Sequence, residues 1–263
     1  MAMRREKSDY SIQAVDNVFR LLEEFQAEEE IGVTELAERL RLHKNNVFRI
    51  LATLAARGYV EKNEETDRYR LGCACLVLGQ SYSRRRSLLV LARAVLRQLA
   101  VDTQESAHLA ALSEFEVIYL DDEPSERLLA AGPRVGRRLP AHCTAPGKVL
   151  LGCADPQLLE AYDRELVARG RVVARTPATL VDREKLVEHL RSVRAQGYAI
   201  DLEECEVGLC CAAAPVYDAG GRLLAALSVS GPAFRLDPET LAGVVVPQVV
   251  RSAEKLSRLL GAA

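Results

Sequence analysis

A basic and amide-rich stretch near the N-terminus carries the first side chains that could do chemistry. Residues 39–60, RLRLHKNNVFRILATLAARGYV, contain no Asp or Glu, although the whole chain has a formal net charge of −2. Amide side chains can bond adenine edges, Arg can bond guanine, and Lys suits phosphates. Because phosphate repels carboxylates, the composition indicates a surface that reads duplex DNA. The alternative interpretation is an ordinary solvated helix face.

Helical spacing divides this stretch into two faces. At 100° per residue, Val47, Ile50, Leu51 and Leu54 form an apolar stripe that can pack on other helices. The opposite face carries polar side chains at its N-terminal end and small side chains further along the helix. This end of the helix can therefore enter a major groove. The predicted DNA contacts are Lys44, Asn45, Asn46 and Arg49, joined by Thr34, Arg41 and Arg70.

A second set of candidate residues lies on a strand near the C-terminus, LLAALSVSG. Its hydroxyl groups, with the Cys211 thiol and the small Ala213 of the preceding strand, predict a pocket floor that could hold a carboxylate or carbonyl. Strand alternation places Leu224, Ala226, Ser228 and Ser230 on one face, and Leu223, Ala225, Leu227 and Val229 on the other.

The segment TAPGK, residues 144–148, offers a second way to bind an anion, because free N–H groups at a helix start favour negative charge. Pro146 removes one of those N–H groups. The alternative for the strand residues is purely structural: Ser228 and Ser230 would pair across strands, and Cys211 would fill the core.

The elements around the basic stretch predict a winged helix-turn-helix. Residues 11–25 have helical apolar spacing with Ser11 as a possible cap, and Thr34 is the expected cap of a short second helix. The third helix should stop at Gly58. YVEKNEETDRYRLG then reads as two strands around a turn. The acidic turn residues favour a wing that contributes little to DNA binding.

The rest of the chain predicts an α+β domain with an antiparallel sheet. Residues 73–101 look helical, with SRRRS as a polar interruption. HLAALSEFEVIYLDD predicts a hairpin, and LLAAGPRVGRRLPAH should continue in extended form. The later segments predict two short helices, a longer helix ending at Gly197, three strands and a helix over residues 238–260. A tight turn is expected at residues 218–221, DAGG.

With both halves considered, the chain resembles the IclR family of bacterial transcription regulators over nearly its whole length. The matching segments include TELAERLRLHKNNVFRILATLAARGYV, LPAHCTAPGKVLLG and GYAIDLEECEVGLCCAAAPVYDAGGRLLAALSVSGP. The resemblance implies a winged helix (residues 1–72), a linker helix (73–86) and a GAF-like effector-binding domain (87–263). It also implies homodimers or dimers of dimers, a near-palindromic DNA operator, and a small keto or aromatic acid as effector. The family's pocket maps onto Ala145, Pro146, Asp201, Cys211, Ser228 and Ser230.

The composition and the cysteines limit the other functions. No apolar run approaches the roughly 20 residues of a membrane span, and no signal-peptide core follows the N-terminus, so a cytoplasmic protein without cofactor is expected. Seven cysteines without framework spacing predict free thiols. One alternative is a redox or zinc sensor that uses His142, Cys143, Cys205, Cys210 and Cys211. A weaker alternative is a hydrolase with Cys211, His142 and Asp201 as its catalytic residues.

Overall fold

The computed structural model describes residues 12–84, 87–167 and 172–262 and divides the chain into two compact units, residues 1–85 and 86–263. Each unit has hydrophobic core residues of its own. In the described parts of the chain, every helix is too short or too polar to span a lipid bilayer.

The N-terminal unit is a winged helix-turn-helix followed by a further helix. Its elements are α1 (Gln13–Glu24), α2 (Val33–Leu40), α3 (Lys44–Ala56), β1 (Val60–Asn63), β2 (Arg68–Leu71) and α4 (Cys73–Arg84). The apolar stripe of α3 buries Val47, Leu51 and Leu54 against α1 and α2, as the spacing predicts. Gly58 takes a left-handed backbone (φ +73°) just beyond α3, which ends the helix where expected.

The expected cap of α2 is wrong. The helix begins at Val33 after Gly32, so Thr34 lies inside its first turn and is exposed. Ile31 exchanges two backbone hydrogen bonds of 2.9 Å with Tyr69 of β2. This pairing holds the chain extended up to Gly32 and moves the helix start two residues earlier than the side-chain pattern indicates. Ser11, the cap expected for α1, lies outside the described residues.

The C-terminal unit is built on an antiparallel sheet with strand order β5-β4-β3-β8-β7-β6. The strands are β3 (Ser106–Ser113), β4 (Glu116–Glu123), β5 (Arg138–Pro140), β6 (Ala199–Leu202), β7 (Leu209–Tyr217) and β8 (Leu223–Pro232). The helices are α5 (Ser87–Thr103), α6 (Ala145–Gly152), α7 (Pro156–Tyr162), α8 (Arg183–Gln196), α9 (Pro238–Thr240) and α10 (Val246–Leu259). A π-helical segment, Leu241–Val245, interrupts the expected last helix just before Pro247, which has no N–H to donate.

The two faces of the sheet have different neighbours. On one face, Ala225, Leu227 and Val229 of β8 join a core with α5 and α10. The other face packs beneath α6 and α8, and Ala226 and Ala213 belong to that second core. Only residues 138–140 of the segment expected to be extended form a strand, and residues 124–137 are a loop.

The expected alternation fails at the start of β8. Tyr217 pairs with Leu223 and Val216 with Ala225, which leaves Leu224 as an extra residue. Leu223 therefore packs on the α6 side and Leu224 on the α5 side, the reverse of the strict alternation. A β-bulge of this kind shifts the side chains on one side of it to the opposite face.

Candidate functional site

The polar end of α3 is a continuous exposed surface. Lys44 is the first residue of the helix, and Asn45, Asn46 and Arg49 follow on its exposed side. Arg41 adopts a left-handed backbone (φ 55°) at the tight connection from α2, which places it just before the helix start. The first turn of α3 has no acidic residue and no side-chain cap, so its N-terminal partial charge adds to these cations.

The cations of this surface differ from others in the N-terminal unit in their ion pairing. No carboxylate among the described residues pairs with Arg41, Lys44 or Arg49. Elsewhere in the unit several acids are paired with cations, and Arg39 alone pairs with Glu24, Glu28 and Glu35. Three cations without an ion-pair partner in the described part of the chain thus lie together around the start of α3, which suits a polyanion such as DNA.

The wing cations are engaged within the unit. The Arg68 guanidinium donates to the backbone oxygen of Glu30 and lies 2.9 Å from the Glu35 carboxylate. Arg70 is exposed and lies 3.4 Å from the Glu61 carboxylate, and Lys62 pairs with Asp67. The positive charge of the wing is thus balanced by neighbours, which agrees with the minor role expected for it.

A second polar set lies on the α6 side of the sheet. Asp201, Cys211 and Ser230 are register neighbours across β6, β7 and β8, and Ser106 of β3 continues the same row. Ser228 lies in the adjacent row, between Ala213 and His108. All the predicted residues in these two rows, Asp201, Cys211, Ser228 and Ser230, are buried.

The start of α6 covers this part of the sheet, and both Ala145 and Pro146 are buried. The Thr144 hydroxyl caps the helix by accepting from Gly147 N–H at 3.3 Å. A side chain at Gly147 would bring its Cβ within 2.3 Å of the Ala141 carbonyl oxygen, so this tight start requires glycine. Pro146 has no N–H, which leaves Ala145 as the one first-turn donor without a partner among the described residues.

His108 belongs to this site, although the sequence analysis missed it. Its Nε2 lies 2.7 Å from Ser230 Oγ, and its ring meets the Tyr119 ring edge-on at 5.6 Å between centroids. Burial, with a smaller contribution from Arg134, lowers the pKa of His108 to about 3. The ring is therefore neutral near pH 7 and has one donor and one acceptor nitrogen. The sequence signal was weak, since His108 alternates with apolar residues on an ordinary strand.

Arg134 is the second residue that the sequence analysis missed. Its Nη1 donates to the Tyr119 hydroxyl at 3.0 Å, and its guanidinium carbon lies 5.4 Å from the centre of that ring. No carboxylate among the described residues pairs with this partly buried guanidinium. Arg134 lies in the 124–137 loop, one of four arginines between residues 127 and 138, so nothing in the sequence distinguished it.

The carboxyl group of Asp201 has an unusual environment. Its Oδ1 accepts from Glu204 N–H at 2.7 Å, whereas its Oδ2 is buried without a partner among the described residues. Burial raises the pKa of Asp201 to about 7. The group is therefore partly protonated near neutral pH, and a protonated carboxyl can donate a hydrogen bond to an anionic ligand.

The geometry does not assemble a catalytic triad from Cys211, His142 and Asp201. Cys211 is a register neighbour of Asp201, but burial and that carboxylate raise the pKa of the thiol, which opposes formation of a nucleophilic thiolate. The Nε2 of His142 lies 3.1 Å from the carbonyl oxygen of Val173, to which it can donate a hydrogen bond. His142 is thus engaged with the backbone of Val173, and no hydrogen bond joins it to Cys211.

The cysteines give mixed support to the sensor alternative. No group of three or more His, Cys, Asp or Glu side chains in the described parts of the chain could hold a metal ion. Cys143 and Cys205, however, share a side-chain hydrogen bond that raises the pKa of Cys143 and lowers that of Cys205 to about 7. Both thiols are buried, which limits their access to an oxidant.

Family comparisons cover almost the whole chain. Residues 14–64 match the IclR helix-turn-helix domain, and residues 80–258 match the bacterial transcriptional regulator IclR C-terminal domain. The regulator KdgR of Escherichia coli strain K12 is 35% identical over 260 residues, covering 97% of this chain and 95% of that protein. The regulator XynR of the same strain is 35% identical over 251 residues, covering 95% and 98%.

Solved structures show the same architecture. An IclR transcriptional regulator from Alicyclobacillus acidocaldarius superposes with a TM-score of 0.81 at 27% identity, covering 96% of this chain and 100% of that one. An IclR homologue from Microbacterium hydrocarbonoxydans, complexed with 4-hydroxybenzoate, gives 0.78 at 22% identity, covering 94% and 99%. At that identity the second comparison concerns the fold alone.

Proposed function

The chain belongs to the IclR family of bacterial DNA-binding transcription regulators, and from this premise we propose that a small organic acid in the C-terminal unit controls its binding to an operator. One observation carries the proposal. The unpaired cations of the chain's α3 surface lie on one compact unit, and the buried polar residues around Ser230 lie on another. The family relationship and the absence of an assembled triad favour a regulator over an enzyme.

We propose that the start of α3 is the element that reads DNA. Asn45, Asn46 and Arg49 would contact base edges, while Lys44 and Arg41 would contact phosphates. A symmetric homodimer would place two copies of α3 in successive major grooves of a near-palindromic operator. A dimer of dimers would bind two such sites.

The effector site is proposed to be the buried surface formed by Asp201, Cys211, Ser228 and Ser230 beneath the start of α6. The hydroxyls and the partly protonated Asp201 can donate to a keto or aromatic acid, and the small side chains leave space for it. A protein of the same fold was solved with 4-hydroxybenzoate, which fits an acid as the ligand class.

Coupling between the units is proposed to pass through the segment of residues 73–86, which separates a DNA-binding region (1–72) from an effector-binding region (87–263). An effector that prefers one dimer arrangement shifts the population toward it, and only one arrangement presents the two α3 helices at the operator spacing. The basic residues of SRRRS, part of which lies outside the described residues, would act as a hinge or phosphate contact.

The DNA half of the proposal is tested with promoter fragments and scrambled duplexes of equal length, by fluorescence anisotropy at moderate salt. We expect a clear preference for one promoter fragment, and the double variant Asn45→Ala, Arg49→Ala should remove it. Glu23→Ala, at an exposed position of α1, serves as the control. Equal binding to promoter and scrambled DNA, with and without candidate acids, would overturn the proposal.

The effector half is tested with the double variant Ser228→Ala, Ser230→Ala. We expect it to bind the operator as the wild type does and to lose the response to an active acid. Ser192→Ala, at an exposed position of α8, is the matched control and should respond normally. Loss of both operator binding and acid response would assign the two serines a folding role instead.

A further inference from the structure

Several polar groups on the α6 side of the sheet lack protein partners. His108 Nδ1, Asp201 Oδ2 and the Tyr162 hydroxyl are buried with no hydrogen bond to any described residue. Ser228 is buried and pairs in register with His108 across β8 and β3. Native proteins leave few buried polar groups unpaired, because each one costs roughly 1–3 kcal/mol. A cluster of them on one sheet face indicates a site built for a polar ligand.

Arg134 supplies the positive charge of this site. A series of contacts joins it to the strands: Arg134 donates to the Tyr119 hydroxyl, the Tyr119 ring packs edge-on against His108, and His108 is hydrogen-bonded to Ser230. The Arg134 charge also contributes to the lowered pKa of His108, which agrees with their proximity. Because the guanidinium has five N–H donors and no described carboxylate pairs with it, it retains the capacity to bind an anion.

The loop that carries Arg134 is held at several points. The Arg134 backbone N–H donates to Asp122 Oδ2 at 2.7 Å, and Gly136 N–H donates to the Tyr119 carbonyl at 2.9 Å. The Ser106 hydroxyl donates to the Ala131 carbonyl at 2.8 Å. These bonds fix the loop against β3 and β4, so the guanidinium is positioned by the fold before any ligand arrives, which reduces the cost of binding.

The N-terminus of α6 offers a carboxylate fewer hydrogen-bond donors than the Arg134 guanidinium does. An anion at a helix N-terminus is held by several free N–H groups, but Pro146 has none and the Gly147 N–H is used by Thr144. A single donor from Ala145 remains. The guanidinium, in contrast, can present two parallel N–H groups to one carboxylate.

We propose that Arg134 binds the carboxylate of the effector, and that His108 and Ser228 bind a hydroxyl or oxo oxygen of the same molecule. The ligand class is therefore a hydroxy- or oxo-carboxylate. This inference rests on the proposed function and refines it. A carboxylic acid without a further hydroxyl or oxo oxygen would leave the His108 imidazole and the Ser228 hydroxyl unpaired. A site built to bind such an oxygen rejects an analogue that lacks it.

The ligand class is tested with full-length wild-type protein and matched probes, by isothermal titration calorimetry and anisotropy of labelled operator DNA. The probe pairs are lactate with propionate and 4-hydroxybenzoate with benzoate, and pyruvate and lactamide are added. We expect at least one hydroxy or oxo acid to bind. Its partner without that oxygen should bind at least about tenfold more weakly, and lactamide should not bind. Equal binding within a pair would overturn the ligand class.

The role of Arg134 is tested with Arg134→Met, and Arg137→Met on the same loop is the matched exposed control. With the tightest probe, Arg134→Met should bind roughly tenfold to a hundredfold more weakly, and Arg134→Lys should fall between it and the wild type. His108→Phe should bring the affinities for the two members of a probe pair close together. Circular dichroism and operator affinity verify the fold of each variant.

Two failures are distinguishable. If the wild type binds a probe and Arg134→Met binds it as tightly as Arg137→Met does, the inference about Arg134 is wrong and the proposed function stands. If no acid binds the wild type or changes its operator binding, the proposed effector function fails, and this inference fails with it.

Discussion

The surface at the start of α3 and the site on the sheet are assembled in opposite ways. The polar residues of α3 lie within residues 44–49 of one helix, are exposed, and carry cations that no described carboxylate pairs with. The sheet site combines His108, Asp201 and Ser230 from three strands far apart in sequence, and each side chain is buried. Substitutions on the first surface should change binding alone, whereas those in the second should change binding and stability together.

The two regions also handle charge differently. Around α3 water screens each exposed cation, and together these cations can attract a polyanion. On the sheet, burial keeps His108 neutral and favours the protonated form of Asp201. The site therefore offers uncharged donors around one cation, Arg134, which suits a single small anion rather than a polymer.

The largest expected effect concerns the core beneath the α3 surface. Leu51→Ala should lower the free energy of unfolding of the N-terminal unit by about 2–5 kcal/mol, because Leu51 is fully buried and its removal leaves a cavity. Urea unfolding and operator binding measure the result. Phe48→Ala, at a position 56% exposed on the same helix, should cost only about 0.5 kcal/mol. Equal losses of unfolding free energy in the two variants would contradict the assignment of Leu51 to the buried face of α3 and of Phe48 to the exposed face.

The next effect concerns Asp201. Burial raises its pKa from 3.8 to about 7, although the hydrogen bond from Glu204 N–H and the charge of Lys148 lower it; the charges of Glu204 and Cys205 raise it by smaller amounts. Between these values the unfolded chain has released the proton while the folded protein retains it. Stability should therefore fall by up to about 1.4 kcal/mol per pH unit as the pH rises from about 4 to 7, and stay level above that. Urea unfolding at a series of pH values measures this slope.

Asp201→Asn should flatten the pH dependence, because the variant has no proton to release there. Asp163→Asn is the control: Asp163 is paired with Arg183, which lowers its pKa, so its contribution changes only at lower pH. The same slope of stability against pH in wild type and Asp201→Asn would show that another group is responsible. It would then contradict the proposed difference between screened charges on α3 and buried charges on the sheet.

A smaller effect is expected for base recognition. Arg49→Ala should reduce discrimination between the operator and a single-base variant by about 1–3 kcal/mol and leave unfolding unchanged. Lys44→Ala should weaken binding to all sequences alike and reduce the salt dependence by about one counterion. Anisotropy titrations at several salt concentrations separate the two patterns. Identical behaviour of the two variants would remove the distinction between base and phosphate contacts.

The smallest effect is expected on the wing. Arg70→Ala breaks an exposed ion pair with Glu61, which is worth about 0.5 kcal/mol or less to stability. Its effect on operator affinity should be well below that of Lys44→Ala, since the neighbouring carboxylate already balances the charge. A loss of affinity equal to that of Lys44→Ala would show that the wing contacts DNA directly.

The sequence predicted most of the elements and part of the site. Helical and strand periodicity placed α3, the wing and the three C-terminal strands, because those patterns depend on neighbours a few residues apart. It misplaced the start of α2 by two residues, since the pairing of Ile31 with Tyr69 is non-local. It also assigned Leu223 and Leu224 to the wrong faces of the sheet, because a β-bulge becomes visible only when two strands are aligned.

What the sequence determined by itself is the family, the type and order of the elements, and a cationic helix end whose residues are contiguous. Only the tertiary structure brought His108 and Arg134 to the proposed site. The reason is physical: one reaches it through sheet register and the other through a loop fixed by long-range hydrogen bonds, and neither leaves a periodic trace in the chain. Burial, which changes the protonation of His108 and Asp201, likewise arises only from packing.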